Sequence, residues 1–289
     1  MTGDQSNTLV ISAEAVEAIE KIWTDQRIDD AQLREPDIQE GLRQRWATHL
    51  GTTWSELVKN IRGTIRAQLW VVVRSPIGRP SPALLAALGT AVGWLADPYR
   101  ASWSRVLQEI PHKPEWTPDL EWHTDSTGWP QPNDVTALTC LKPAVTGGAT
   151  DLLTLDTVQR TAIDEATLTT LAGADFAWPL DAELGGGHAS DVIITPQRIR
   201  FMRAALLNAT DDRIRESARR FADLIDRLAP DQSAVLDPGD SLLFDNARCL
   251  HRRGELSDPD RRRLLLRTKI FWQLPDRLDG QARHRAITS

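Results

Sequence analysis

His123-Thr124-Asp125, within the segment 120–128, and a distant His251 give this chain two imidazoles and a carboxylate that could share one metal ion. Such a set fills one face of an octahedral Fe(II) and leaves the opposite positions open, as non-haem iron chemistry with dioxygen requires. His123 and Asp125 are two residues apart, so on a strand their side chains leave from the same side. The third ligand has to arrive from elsewhere in the fold, and His251 follows the strand-like run Ser241–Asp245.

Three further features stand in order around this set. Gly147-Gly148-Ala149-Thr150 leads into the apolar pair Leu152-Leu153, and Pro238-Gly239-Asp240 is a turn opening the run before His251. Beyond His251 comes Arg263-Leu264-Leu265-Leu266-Arg267, where both arginines and Leu265 share one strand face and Leu264 and Leu266 take the other. In order and spacing, about residues 65–273 resemble the taurine dioxygenase and clavaminate synthase branch of the iron(II) and 2-oxoglutarate dependent oxygenases.

The resemblance implies roles position by position. His123, Asp125 and His251 match the iron ligands, and Thr150 matches the hydroxyl that bonds the co-substrate carboxylate. Arg263 matches the guanidinium that clamps the distal carboxylate of 2-oxoglutarate. Arg267 matches a position that reaches the primary substrate or the co-substrate. A planar guanidinium binds a carboxylate through two parallel hydrogen bonds, which an ammonium cannot do. The implied cofactors are Fe(II), 2-oxoglutarate and O2. The implied reaction consumes 2-oxoglutarate to succinate and carbon dioxide while oxidising an unactivated C–H bond, hydroxylation being the default outcome and desaturation, ring closure or epoxidation the variants.

Composition agrees. Arg and Lys number 34 against 40 Asp and Glu, a formal net charge of −6. Basic residues cluster only locally, at Arg252-Arg253 and Arg261-Arg262-Arg263, which suits one small anion better than a nucleic-acid backbone. The expected partner is a small molecule, with no nucleic acid and no membrane. Cys140 and Cys249 lie in apolar strand-like contexts and read as buried free thiols in a reducing compartment. No signal peptide and no membrane-length apolar run is visible, so a soluble, cytoplasmic protein is expected. Many Ala, Arg and Asp with few Lys suggest a GC-rich bacterium and a tailoring step in natural-product biosynthesis.

To position the site, the sequence offers helices first: one capped by Ser12 and running to Trp23, another within 39–49, a third over 53–62. Strands are expected at 67–73, 104–110, 135–141, 149–155, 191–195, 199–202 and 264–272. Helices are expected at 82–95 and 156–172. A charged helix over 211–228 carries Ile214, Ala218, Phe221 and Leu224 near helical period. Short strands flanked by helices fit a double-stranded β-helix, a mainly β jelly roll of cupin-like shape whose mouth holds the site. One domain over 1–289 is expected: a helical region to residue 64, the core over 65–273 with a helical insert at about 156–230, and a tail from 274.

The remaining candidates are weaker. Segment 184–188, Leu-Gly-Gly-Gly-His, reads as a mobile loop that could act as a lid, with His188 a candidate substrate contact. Trp122 and Trp129 flank the ligand segment, as packing residues or as substrate walls. Asp245 and Asn246 suit the turn before His251 or support of the ligands. His49, His112 and His284 read as solvated residues. Asp125 argues against a carrier-dependent halogenase, which replaces the carboxylate to admit chloride. A cupin-like zinc hydrolase would not need Thr150 and Arg263, and a non-catalytic binding module would be expected to have lost a ligand.

Overall fold

The computed structural model describes residues 7–96, 105–111, 121–161, 163–173, 176–180, 186–207, 209, 211–257 and 262–275. His112, Ser104, Arg261, His284 and the first two residues of the 184–188 loop lie outside them.

Strand β1 (Thr8–Val10) runs parallel to β2 (Trp70–Arg74). Between them lie α1 (Ala13–Gln26), α2 (Asp30–Leu33) and α3 (Pro36–Gln68). Ser12 caps α1 by accepting the Ala15 N–H at 3.2 Å, as its sequence position suggested. The two helices expected within 39–49 and over 53–62 are the two arms of α3, which meet at a kink where Gly51 leaves helical geometry (φ 61°, ψ −142°). Because α3 continues through Gln68, the following strand begins only at Trp70.

Helix α4 (Pro82–Val92) starts with Ser81 capping Leu84 and with proline in the first turn. It is buried from Ala83 to Val92, and β3 (Trp94–Leu95) follows at once. Then come β4 (Gln108–Pro111), β5 (Val135–Lys142), β6 (Thr146–Gly147) and β7 (Thr150–Thr154). The insert holds α5 (Leu155–Arg160), α6 (Glu165–Gly173), the hairpin β8 (Phe176–Pro179) with β9 (His188–Asp191), α7 (Arg203–Leu207) and α8 (Asp212–Ile225). The strands expected at 191–195 and 199–202 reduce to two isolated bridges, Ile194 to Ile199 and Met202 to His123, because β9 ends at Asp191 in pairing with β8. The chain closes with β10 (Gln232–Ala234), β11 (Ser241–Asp245), β12 (Cys249–Arg253), β13 (Leu256–Ser257) and β14 (Leu264–Phe271).

These strands form a jelly roll. The larger sheet has the order β1-β2-β11-β5-β14-β3, with β4 also on β14; the smaller is β10-β7-β12. Period-two alternation assigns the residues to layers. Leu242 and Phe244 of β11, Leu138 and Cys140 of β5, Leu152 of β7 and Cys249 of β12 meet between the sheets. Leu243, Ala137, Leu266 and Ile270 face the other way, into a second core with α1, α3 and α4. Leu153 and Leu250 point out from the smaller sheet and pack against the insert, including Phe221 and Ile225 of α8. Truncating a fully buried leucine such as Leu243 to alanine would cost about 2–5 kcal/mol.

The Pro238-Gly239-Asp240 turn has a definable task. Gly239 sits at φ 93°, and a β-carbon there would lie 2.4 Å from the Arg79 carbonyl oxygen. Asp240, buried beside it, accepts the Ser75 and Asp237 N–H groups at 2.9 and 3.0 Å and pairs with Arg74. This ties the start of β11 to the end of β2 and fixes the strand that leads toward His251. Both cysteines are buried free thiols. Among the described residues, no helix is long and apolar enough to cross a membrane.

Candidate metal centre

His251 leaves the smaller sheet from β12, and His123 pairs with it through two backbone hydrogen bonds of 3.0 and 2.9 Å. Cross-strand partners project to the same side, and the two imidazole centroids are 4.1 Å apart. Asp125, two residues on, joins them: one ligand atom from each of His123, Asp125 and His251 lies within 4.8 Å of the other two. Thr124 points the opposite way, its hydroxyl accepting the Phe201 N–H at 3.0 Å.

Each member is held by neighbours. The Nδ1–H of His123 donates to the Glu121 carbonyl at 2.9 Å, which leaves Nε2 as the electron-pair donor. The Asp125 N–H donates to Asn246 Oδ1 at 2.7 Å, and Asn246 in turn donates to the carbonyls of Asp125 and Asn133. Thr136 donates to Asp125 Oδ2 at 2.8 Å and itself accepts from Asn133. Arg267 Nη1 donates to Asp125 Oδ1 at 2.5 Å, while its Nη2 donates to Gln108 Oε1 at 2.6 Å. Among these supports Arg267 and Asn246 carried a sequence signal, the first in the Arg263–Arg267 run and the second as a residue of the turn before His251. Gln108, Asn133 and Thr136 are ordinary strand and loop residues whose role depends on three-dimensional position.

The protonation states suit a cation. Burial, and then the neighbouring His123, lower the pKa of His251 to about 3; burial likewise lowers that of His123. Both imidazoles are therefore neutral near pH 7. Burial alone would raise the Asp125 carboxyl, but Arg267, His251, Lys269 and His123 outweigh it and hold it well below the usual carboxylate range. Two neutral nitrogens and one carboxylate match a first-row divalent ion with open positions. His251 Nδ1 is buried with no hydrogen-bond partner among the described residues, as is Arg267 Nε–H.

A cavity of about 290 Å³ opens beside the triad, lined by His123, His251, Gln108, Thr150, Arg263 and Arg267 among others. Gly147 and Gly148 both adopt positive φ (73° and 71°), and the turn presents the Gly148 carbonyl to Arg263 Nε–H at 3.0 Å. Thr150 and Arg263 are thus brought together, both buried, on one wall.

The other candidates sit elsewhere. Trp122 and Trp129 are buried, with the Arg252 guanidinium 4.4 Å over one ring and Lys269 Nζ 3.9 Å over the other; neither lines the cavity. These rings pack and carry cations instead of walling a substrate space. His188 is exposed on the β8–β9 hairpin, paired with Pro179, and is not in the cavity lining. His49 lies on α3, its Nδ1–H bonded to the Arg45 carbonyl.

Residues 58–158 match the family described as taurine catabolism dioxygenase TauD, TfdA family. No curated protein matches the chain. Among solved structures, the chain is similar to asparagine oxygenase (AsnO), with TM-score 0.70 and 18% identity over 92% of this chain and 93% of that one. A complex of asparagine oxygenase with Fe(II), 2S,3S-3-hydroxyasparagine and succinate gives TM-score 0.71 at 17% identity, over 92% and 94%. The non-heme iron oxygenase OrfP in complex with Fe and alpha-ketoglutaric acid gives 0.66 at 16%, over 91% and 94%. The family match falls on the segment that holds His123, Asp125 and Thr150, and the similarity to the solved oxygenases extends the shared fold over nine-tenths of the chain.

Proposed function

We propose that the protein hydroxylates an unactivated C–H bond of a small amino acid, as a cytoplasmic step of bacterial natural-product biosynthesis. The observation that carries the substrate class is Arg267. It lines the cavity beside the triad, and its Nε–H is buried without a partner among the described residues. A buried guanidinium donor left unpaired is costly, so the arrangement favours a ligand anion completing it. Gln108 accepts from the same guanidinium, which orients its own amide group at the cavity wall. A carboxylate with an adjacent amine suits this pair. The presence of an asparagine oxygenase, and of OrfP bound to (3S)-hydroxy-L-Arg, among the similar structures supports the same reading.

The residues divide the work. His123, Asp125 and His251 would hold the iron, which when bound supplies the dioxygen chemistry. Arg263 and Thr150 would hold the distal carboxylate of 2-oxoglutarate by charge-assisted hydrogen bonds. Arg267 and Gln108 would hold the substrate carboxylate so that its C–H faces the open side of the metal. Thr136 and Asn246 keep the Asp125 carboxylate and backbone fixed while ligands exchange. Burial of both imidazoles keeps protons off the metal-binding nitrogens.

The test is succinate release from 2-oxoglutarate in the presence of iron, screened across the common amino acids and, as anionic controls, sulfonates and nucleotides. Amino-acid-triggered succinate with a product one oxygen heavier is the expected result. Turnover triggered only by a sulfonate or nucleotide would overturn the substrate class.

A further inference from the structure

The space between the two sheets continues past Arg263 and Thr150. On β5, Leu138 and Cys140 project to the same side, into the layer between the sheets. Leu138 lines the cavity beside the triad, whereas Cys140 lines a second cavity, of about 360 Å³, further along the strand. Leu265 of β14, paired with Cys140, lines both cavities, and so do Thr150 and Arg263. The two cavities therefore meet at one shared wall, and two of its three residues are the arginine and threonine assigned to 2-oxoglutarate. The second cavity has its own opening to solvent. Val145 and Val235 on its rim are 56% and 61% exposed, among the few large apolar side chains exposed on the described surface. Lys142 and Asp237, both exposed, stand on the same rim and offset one another. The charge that draws an anion inward is thus the Arg263 guanidinium at the inner end.

Resting on the assignment of Arg263 and Thr150 to the distal carboxylate, we infer that the second cavity is the passage by which 2-oxoglutarate reaches them and succinate leaves. Arg267 and Gln108 line the first cavity only, so an amino acid held by that pair occupies the front side of the shared wall. Succinate formed behind it still has its distal carboxylate on Arg263, which borders the second cavity as well. Arg263 Nε–H is tethered to the Gly148 carbonyl at 3.0 Å, and Gly147 and Gly148 themselves line the second cavity. The turn that tethers the guanidinium is thus also a wall of the passage, and neither glycine carries a side chain to narrow it. Two openings let the dicarboxylate exchange without waiting for the oxidised amino acid to depart, at a stage that limits turnover in many enzymes.

The experiment caps the rim reversibly. Val235→Cys puts a thiol on the exposed edge of the second cavity, away from the triad and from Arg263 and Thr150. The native thiols do not compete, because both are buried, and burial pushes Cys140 up to about 11 and Cys249 well above the usual thiol range. The full-length Fe(II) protein is mixed anaerobically with 2-oxoglutarate. The charge-transfer absorbance of the complex gives the association rate, and displacement by excess succinate gives the dissociation rate. Capping the Val235→Cys thiol with a bulky methanethiosulfonate should slow both rates by the same factor, about tenfold, with the dissociation constant unchanged. A reductant should restore both. Equal slowing marks a blocked passage, since the passage is no part of the bound state. Glu109→Cys, exposed on the lining of the first cavity and capped in the same way, should change neither rate by more than about twofold. Val145→Cys, on the other exposed valine of the rim, repeats the test if Val235→Cys does not fold. Unchanged rates after capping at the rim, or weaker binding through faster dissociation alone, overturn the inference. Slowing by the Glu109→Cys cap as large as that at the rim overturns it too. Absence of iron-dependent 2-oxoglutarate binding in the unmodified protein overturns the assignment of Arg263 and Thr150, and this inference with it.

Discussion

Arg267→Gln separates three quantities that a purely structural arginine would move together. In the metal-free protein Arg267 is the counter-charge of Asp125, at 2.5 Å, with side chains 17% and 4% exposed. Removing one partner of a buried ion pair costs about 3–5 kcal/mol because the other charge is left uncompensated. Thr136 remains as a donor to the carboxylate, so the low end, about 3 kcal/mol, is expected. At this chain length that is a fall of ~5 °C in the melting temperature of the metal-free protein. A bound divalent ion neutralises Asp125 in place of the guanidinium, so the metal-loaded protein should lose under about 1 kcal/mol. The remaining ~2 kcal/mol appears by linkage as tighter metal binding, roughly 30-fold. Substrate affinity should move the opposite way, because the carboxylate loses its guanidinium, while 2-oxoglutarate affinity in the substrate-free protein stays nearly constant. Thermal melts with and without Mn(II), and anaerobic titrations of the iron complex, read all three. Equal destabilisation with and without metal would refute the counter-charge argument. A loss of 2-oxoglutarate affinity with substrate affinity intact would remove the basis of the anionic-substrate assignment.

Further expectations follow from the same geometry. Asp125→Ala and His251→Ala should abolish iron-dependent succinate formation while far-UV circular dichroism stays near wild type; substrate-coupled turnover in both would refute the triad. Arg263→Ala should raise the apparent Michaelis constant for 2-oxoglutarate by roughly 30- to 1000-fold, from a loss of about 2–4 kcal/mol of charge-assisted bonding, and much less for the amino acid. A small effect there with a large one in Arg262→Ala would move the clamp to the neighbouring arginine. His251 is held neutral to about pH 3, below its unfolded value near 6.5, so the unfolded chain binds the extra proton in between. Metal-free stability should therefore fall as pH drops below about 6.5, by up to ~1.4 kcal/mol per pH unit from this residue. Denaturant melts at pH 7.5 and 5.0 should show that decrement in wild type, reduced in His251→Ala; an unchanged decrement would assign it to other groups.

What the sequence disclosed and what it withheld divide along the range of the interactions concerned. Ser12, the Pro82 helix start, the 135–141 run and the period of α8 depend on neighbours within a few residues, and each element formed close to its expected bounds. His123 and Asp125 came together because a period of two is a local property. Their meeting with His251, and that of Thr150 with Arg263, is long-range and entered only through the order of motifs that the resemblance supplied. The errors have the same origin. The segment 191–202 carries a local signal for two strands, but pairing of β9 with β8 overrode it, whereas the break between the helices of 39–49 and 53–62 does form, at Gly51. Of the two readings offered for Trp122 and Trp129, packing residues or substrate walls, their burial away from the cavity lining fits the first. In an extended segment His123 and Asp125 face the site, so Trp122 leaves from the opposite side, where Arg252 covers it. The same alternation that made the triad legible therefore excludes Trp122 from the substrate space.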